Sequence, residues 1–537
     1  MTGPLHLAAA GEQLAALRGH RITSRSLLEQ YLEHIATSNP RLNAVVTLDA
    51  AGARAAADKA DQHLASTGKT LGPLHGLPMT VKDALEVEGM RTTCGSPALT
   101  DHVPDRDADV VALLRHAGAI IIGHTNVPAM CQDIQTSNPI FGTTKNPFDG
   151  NRTAGGSSGG PAAAVAAGFT SLEIGSDLAG SLRLPAAYCG VHALRTSRGT
   201  SPIVPTRGHI PRLPGWATSS DMITLGPIAR TVEDLVLLLD VIASPSPADR
   251  PGWKIDLPAP AKATLGEYRV GIWADDAYCR VDAGTRALLE QIAKLVRGLG
   301  ATVDDSTKPV DFADSDKLFQ RLMYATASAT ADDEAFAADV AAAETIPADD
   351  PSALYLYART MRHRDWCVAD EARQDLRAAW DRYFNEHDIL ITPATPTAAV
   401  ADQTNTPAPQ RYITVDGQKR PFFDQTSWLN LAGPVGLPAL VLPAGQTADG
   451  LPLAIQIIGP YLGDRTVLEA ARQLARKLPE PMRPRAFTDC PPPDPNELTP
   501  HGLRHGLRAG MGPAGTRRAT WIDHEDRCPS LRAASSA

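Results

Sequence analysis

AGGSSGGPAAAVAAGFTSLEIGSDLAGSLRLPAAY, residues 154–188, is the stretch on which the reading turns. It opens with Gly155-Gly156-Ser157-Ser158-Gly159-Gly160, two serines flanked by glycines that permit torsions closed to other residues. Pro161 then starts PAAAVAAG, which predicts a helix with Pro in its first turn and Gly168 near its end. A helix starting there points free N–H groups and a positive partial charge at the serines. Taken alone, this run reads as a glycine-rich turn capped by serine. The second run, Gly175-Ser176-Asp177-Leu178-Ala179-Gly180-Ser181, is again small and loop-forming, and it ends in a serine. A nucleophilic serine needs a base, and backbone N–H groups for the oxyanion it creates, and such a loop can present them.

On either side of this stretch, helical and strand patterns alternate. Residues 26–35 place Leu27, Leu28, Tyr31, Leu32 and Ile35 on one helical face, with Ser26 and Glu29 spaced as a capping box. Residues 50–64 are Ala-rich and helical. Leu77, Met79 and Val81 form a short buried strand leading into Lys82. A helix over 107–116 precedes a strand over 119–122. The order repeats as strand 268–273, helix 283–299 and strand 301–304. Later strands fall at 389–392, 439–442 and 453–458, and a helix over 465–477 closes the pattern. Such alternation predicts an α/β fold with a mixed or largely parallel sheet. Residues 310–385 read as a helical insertion within one domain spanning 1–488. From 489 to 537 the chain is Pro-, Gly- and Arg-rich without apolar periodicity, which predicts a disordered tail.

Composition narrows the function classes. The chain has 537 residues, 43% hydrophobic and 21% charged, with net charge −9, which sets aside a general nucleic-acid binder. Its seven cysteines form no C-x-x-C pair, so neither a disulfide framework nor a zinc site is expected, and a reducing cytoplasm fits. The fifteen histidines show no metal-ligand spacing. The first twenty residues lack a basic n-region, and no apolar run reaches the ~18 residues of a membrane span. No metal, organic cofactor, nucleic acid or membrane partner is expected.

The two serine runs, 24 positions apart from Ser157 to Ser181, resemble the amidase signature family. The resemblance extends to Gly76-Leu77-Pro78-Met79-Thr80-Val81-Lys82-Asp83, Gly123-His124-Thr125-Asn126-Val127-Pro128, Asn146-Pro147-Phe148-Asp149, Gly436-Leu437-Pro438-Ala439 and Asp449-Gly450-Leu451-Pro452, over about residues 5 to 485. It implies the family's α/β fold, a large mixed sheet covered by helices. It also implies a triad of Lys82, Ser157 and Ser181, with a cis peptide at Gly156–Ser157. By the same resemblance the N–H groups of Leu178, Ala179, Gly180 and Ser181 form the oxyanion hole, and Cys131 lines the acyl pocket. A small-molecule amide is the implied substrate, and a homodimer is left open.

The chain departs from the family pattern at Ser176 and Ala179 in the second run, and at Arg195-Thr196, where Lys-Pro is usual. Asp177 and Arg183 read as polar contacts that hold the serine loop. Gly155-Gly156-Ser157-Ser158-Gly159 also fits the G-x-S-x-G elbow, but Asn151-Arg152-Thr153-Ala154 is a poor preceding strand. Three functions compete: a stand-alone amidase, a glutaminase-type subunit of a tRNA-dependent amidotransferase, and a non-catalytic relative. Val127-Pro128-Ala129, where such subunits usually carry acidic residues, favours the first.

Overall fold

A three-stranded sheet and an eight-stranded sheet set the architecture. The computed structural model describes residues 4–211, 216–260, 262–350, 352–484 and 487. A small sheet joins β1 (Val45–Leu48), β2 (Pro78–Lys82) and β3 (Ile120–Thr125) in the order β1-β3-β2. β2 runs parallel to β3, which brings Lys82 opposite Thr125.

The main sheet has eight strands: β4 (Leu172–Asp177), β5 (His192–Arg195), β6 (Thr224–Ala229), β7 (Arg269–Ile272), β8 (Thr302–Asp304), β9 (Ile389–Pro393), β10 (Ala439–Gln446) and β11 (Pro452–Ile458). Their order is β8-β7-β9-β11-β10-β5-β6-β4. Only the β7–β8 and β7–β9 pairs are parallel, and the rest of the ladder is antiparallel. The sheet is therefore mixed. The largely parallel alternative rested on the strand–helix–strand repeat, and in the main sheet the crossover between consecutive strands is the one where Ala283–Gly298 links β7 to β8, while Asp109–His116 links β2 to β3 in the small sheet.

Local readings met tertiary structure with different outcomes. The first long helix is Ser24–Ser38, capped by Thr23, whose hydroxyl accepts from the Ser26 N–H at 3.0 Å. The expected Ser26–Glu29 capping box is absent because the helix starts earlier. Glu29 is held instead by Arg25 and Arg54, each at 2.8 Å. The run 175–181, expected as loop throughout, is strand up to Asp177, because Gly175, Ser176 and Asp177 pair in register with Gly226, Leu225 and Thr224. Pairing with a neighbour overrides weak strand propensity. The sequence patterns also left β5 and β6 unassigned.

Helix Gly159–Ala167 is buried at every residue. Its glycines, alanines, proline and single valine let neighbouring backbone come close on all sides, which a larger side chain would prevent. Gly168 ends it at φ +78°, in the left-handed region where glycine is the usual stop. The stretch expected as an insertion consists of helices Phe312–Ala327, Asp333–Thr345, Ala353–Arg359 and His363–Glu386. All these elements belong to the unit Met1–Pro491, and the expected tail 489–537 lies outside the described residues. No described helix is long and apolar enough to cross a membrane.

Candidate active site

Lys82 ends β2 with its side chain wholly buried. Its Nζ lies 2.7 Å from Ser157 Oγ, 3.0 Å from Ser158 Oγ and 2.9 Å from Ser176 Oγ. Among the described residues no carboxylate bonds to it. Three hydroxyls suit either form of the amine: an ammonium donates three bonds, and a neutral amine donates two and accepts one. Burial lowers the Lys82 pKa below the ordinary lysine value, opposed in part by nearby Cys131, Cys94 and Asp177. A buried lysine among hydroxyls, with no carboxylate bonded to it among the described residues, gives up its proton more easily than an exposed one.

The first serine run is fixed from several directions. The Gly156–Ser157 peptide is cis, as the resemblance implied. A Cβ at Gly156 would sit 2.7 Å from the Asp133 carbonyl oxygen and 2.8 Å from the Gln135 nitrogen, so only glycine passes there. Thr136 Oγ1 donates to the Gly155 carbonyl at 2.9 Å and accepts from the Gly159 N–H at 3.1 Å, clamping the turn on both sides of the serines. Ser158 stands at the helix N-cap position but its hydroxyl makes no cap bond. It faces Lys82 instead, so a simple serine-capped turn does not describe this segment.

The second run hangs from Asp177. Its carboxylate accepts from Arg183 Nε at 2.9 Å and Nη2 at 2.8 Å, from the Gly180 N–H at 3.0 Å and from the Leu182 N–H at 3.2 Å. Burial alone would raise the Asp177 pKa, but Arg183 and Arg195 outweigh it and hold the group down to about 2. Arg183 also donates to the Leu429 carbonyl at 2.5 Å and to Gln456 at 2.7 Å. Gly180 has φ +92°, and a Cβ there would lie 2.7 Å from Leu429, so this bend requires glycine. Arg195 stands 3.6 Å from Asp177 and donates to the Met222, Gly433 and Leu437 carbonyls, which ties the departure from Lys-Pro into the same cluster.

This geometry revises one expectation. Of the four N–H groups expected at an oxyanion, that of Gly180 is already engaged by Asp177. Those of Leu178, Ala179 and Ser181 carry no such bond. Leu178 and Ala179 are half-buried against Met222, Phe319, Leu322 and Ala369. Ser181 is half-exposed, and its carbonyl accepts from the Ser158 N–H at 3.1 Å, which links the two serine runs. No hydrogen bond joins the Ser181 hydroxyl to Ser157 or Lys82 among the described residues. Cys131 lies beside Lys82, with its Sγ 3.9 Å from that of Cys94.

Two partners of Lys82 were missed as site residues. Ser158 is overshadowed by its neighbour in the motif, and Ser176 stands out in the sequence only as a departure from the family pattern. The detectable signal was a hydroxyl near the end of a strand beside the lysine strand. A second contact between these strands joins the Thr80 hydroxyl to Glu173. Burial pushes Glu173 up to about 8, so it is protonated at neutral pH and adds no negative charge beside the site.

Comparison with known proteins follows the same lines. The family described as Amidase matches residues 26–468. A glutamyl-tRNA(Gln) amidotransferase subunit from Synechococcus sp. (strain CC9605) is 33% identical over 481 residues, covering 85% of this chain and 94% of that protein. The protein of the same name from Carboxydothermus hydrogenoformans is 31% identical over 489 residues, covering 87% and 96%. A crystal structure of an amidase superposes with a TM-score of 0.73 at 27% identity, over 88% of this chain and all of that one. The names of the first two include a tRNA, where sequence alone set nucleic acid aside.

Proposed function

The chain belongs to the amidase family, and on that premise we propose that it cleaves a carboxamide through an acyl-enzyme on Ser181. The observation that carries this is a wholly buried Lys82, bonded to Ser157 Oγ at 2.7 Å and to no carboxylate. Neutral Lys82 takes the proton of Ser157, and Ser157 takes that of Ser181 as its Oγ attacks the carbonyl carbon. The Leu178, Ala179 and Ser181 N–H groups stabilise the oxyanion. Collapse returns a proton through Ser157 to the leaving nitrogen. Water then attacks the acyl-Ser181 ester by the same relay and frees the acid. The Ser181–Ser157 contact closes when substrate arrives, since catalytic hydrogen bonds are often loose in empty sites.

Two substrate readings share this chemistry. The apolar side chains against Leu178 and Ala179 support an amide with an apolar acyl group. The relatives named as amidotransferase subunits support glutamine, with ammonia passed to a partner and a tRNA in the assembly. Ammonia or amine release from a panel of small amides that includes glutamine tests both. Turnover by the wild type that is lost in Ser181→Ala supports the nucleophile. Turnover surviving that change rejects it. Turnover of glutamine alone, with copurifying subunits, selects the second reading.

A further inference from the structure

Beside Lys82 lies a pair of sulfurs that amide cleavage does not use. Cys94 Sγ and Cys131 Sγ are 3.9 Å apart. The proximity is built in: the Met130 N–H donates to the Cys94 carbonyl at 2.8 Å, which ties the turn carrying Cys131 to the turn carrying Cys94. Asp83, next to Lys82 in the chain, holds the Cys94 turn by accepting from the Thr93 N–H at 3.0 Å and the Thr93 hydroxyl at 2.5 Å. On the other side the buried His209 lies against Cys131. Cys94 is fully buried, whereas Cys131 is partly open to solvent.

We propose that Cys94 and Cys131 form an oxidation site, closing to a disulfide on exposure to a peroxide and thereby switching off the neighbouring site. The two thiols have different roles. Cys131 is held well below the ordinary thiol value by its contact with Cys94, against burial and with help from Lys82 and His209. Cys94 is pushed well above it by the same contact and by burial. A lowered value and partial exposure mark the attacking thiol, and a close second thiol marks the resolving one. The Cys131 thiolate attacks hydrogen peroxide. The O–O bond breaks, Cys131 becomes a sulfenic acid, and hydroxide leaves. The Cys94 sulfur attacks that of Cys131. The S–O bond breaks, and the hydroxyl leaves as water with the Cys94 proton. Two thiols are oxidised and one peroxide is reduced to two waters. A disulfide is about 2.05 Å long, so closure moves the Cys131 turn that lies beside Lys82. The effect on turnover rests on the proposed role of Lys82; the cross-link does not.

The test treats the full-length protein with hydrogen peroxide, without reductant, and reads both mass and activity. The expected product has lost two hydrogens, with tryptic peptide 92–106 joined to peptide 116–145. Turnover is expected to fall about 10²-fold, as small displacements near a reacting centre can cost, and to return with dithiothreitol. Cys94→Ser is expected to keep basal turnover and to form no cross-link. Oxygen added to either cysteine without the cross-link overturns the proposal. A cross-link with unchanged turnover overturns the switch. The peptide map on wild type needs neither a variant nor an active substrate, so failure here is distinct from failure of the amidase reading.

Discussion

Two buried cations stand at the two ends of the serine loop, and they are treated in opposite ways. Arg183 is matched by Asp177 in a two-bond fork, with Gln456 and a carbonyl taking its remaining arm. Among the described residues Lys82 bonds to three serine hydroxyls and to no carboxylate. Both are fully buried. The difference is one of charge compensation. A paired buried ion keeps its charge and fixes the shape around it. An unpaired one gives its proton up more easily and becomes a base.

The sharpest test of that contrast is Lys82→Met. Turnover should fall on the order of 10⁴-fold, as for loss of a catalytic unit. Thermal unfolding should show equal or greater stability, because an uncompensated polar group leaves the core. A large fall in melting temperature would mean that Lys82 holds structure as Arg183 does.

Asp177→Asn should do the reverse at the level of the fold. Leaving Arg183 and Arg195 buried without their anion should cost about 3–5 kcal/mol in denaturant unfolding. The sign of the acid response follows from the Asp177 value of about 2 against an ordinary 3.8. Its stabilisation is full above 3.8 and is lost as pH falls through about 2. Wild type should therefore hold this loop into acid, while Asp177→Asn loses that part of its pH dependence.

Catalysis should depend on pH through Lys82. Its working form is neutral and its pKa is lowered, so kcat/KM should rise about tenfold per pH unit and level off below the ordinary lysine range. A profile flat from acid to alkaline pH would remove Lys82 as the base. Ser176→Ala deletes one of the three hydroxyls. It should cost about 1 kcal/mol, near a fivefold loss of turnover, and shift the same pH profile. Ala179→Gly restores the residue the family pattern usually has. It removes one methyl from contact with the helices, worth about 0.8 kcal/mol at most, so kinetics on small amides should change only a few-fold.

How far the fold was legible from sequence varied along the chain. β3 runs on to Thr125, three residues past its expected end, while strands β2, β7 and β9 were readable within a residue or two. β4 was not, because Gly175, Ser176 and Asp177 have no local preference for strand. Their conformation comes from β6, about fifty residues later in the chain. The capping box at Ser26 failed for the opposite reason: a nearby Thr23 offered an equally good cap one turn earlier.

Sequence by itself determined the family, because a Gly-Gly-Ser-Ser-Gly-Gly run and a serine 24 positions on are dictated by backbone limits that few side chains satisfy, and it singled out the residues to which the proposed chemistry is assigned. Lys82 could be placed in a buried strand from its apolar flank. Tertiary structure decided what surrounds those residues: the three hydroxyls on Lys82, the commitment of the Gly180 N–H to Asp177, and the meeting of Cys94 with Cys131. Each is a contact between segments distant in sequence or turned toward one another by pairing. Local patterns report how a segment bends and which face it buries, but not what it faces.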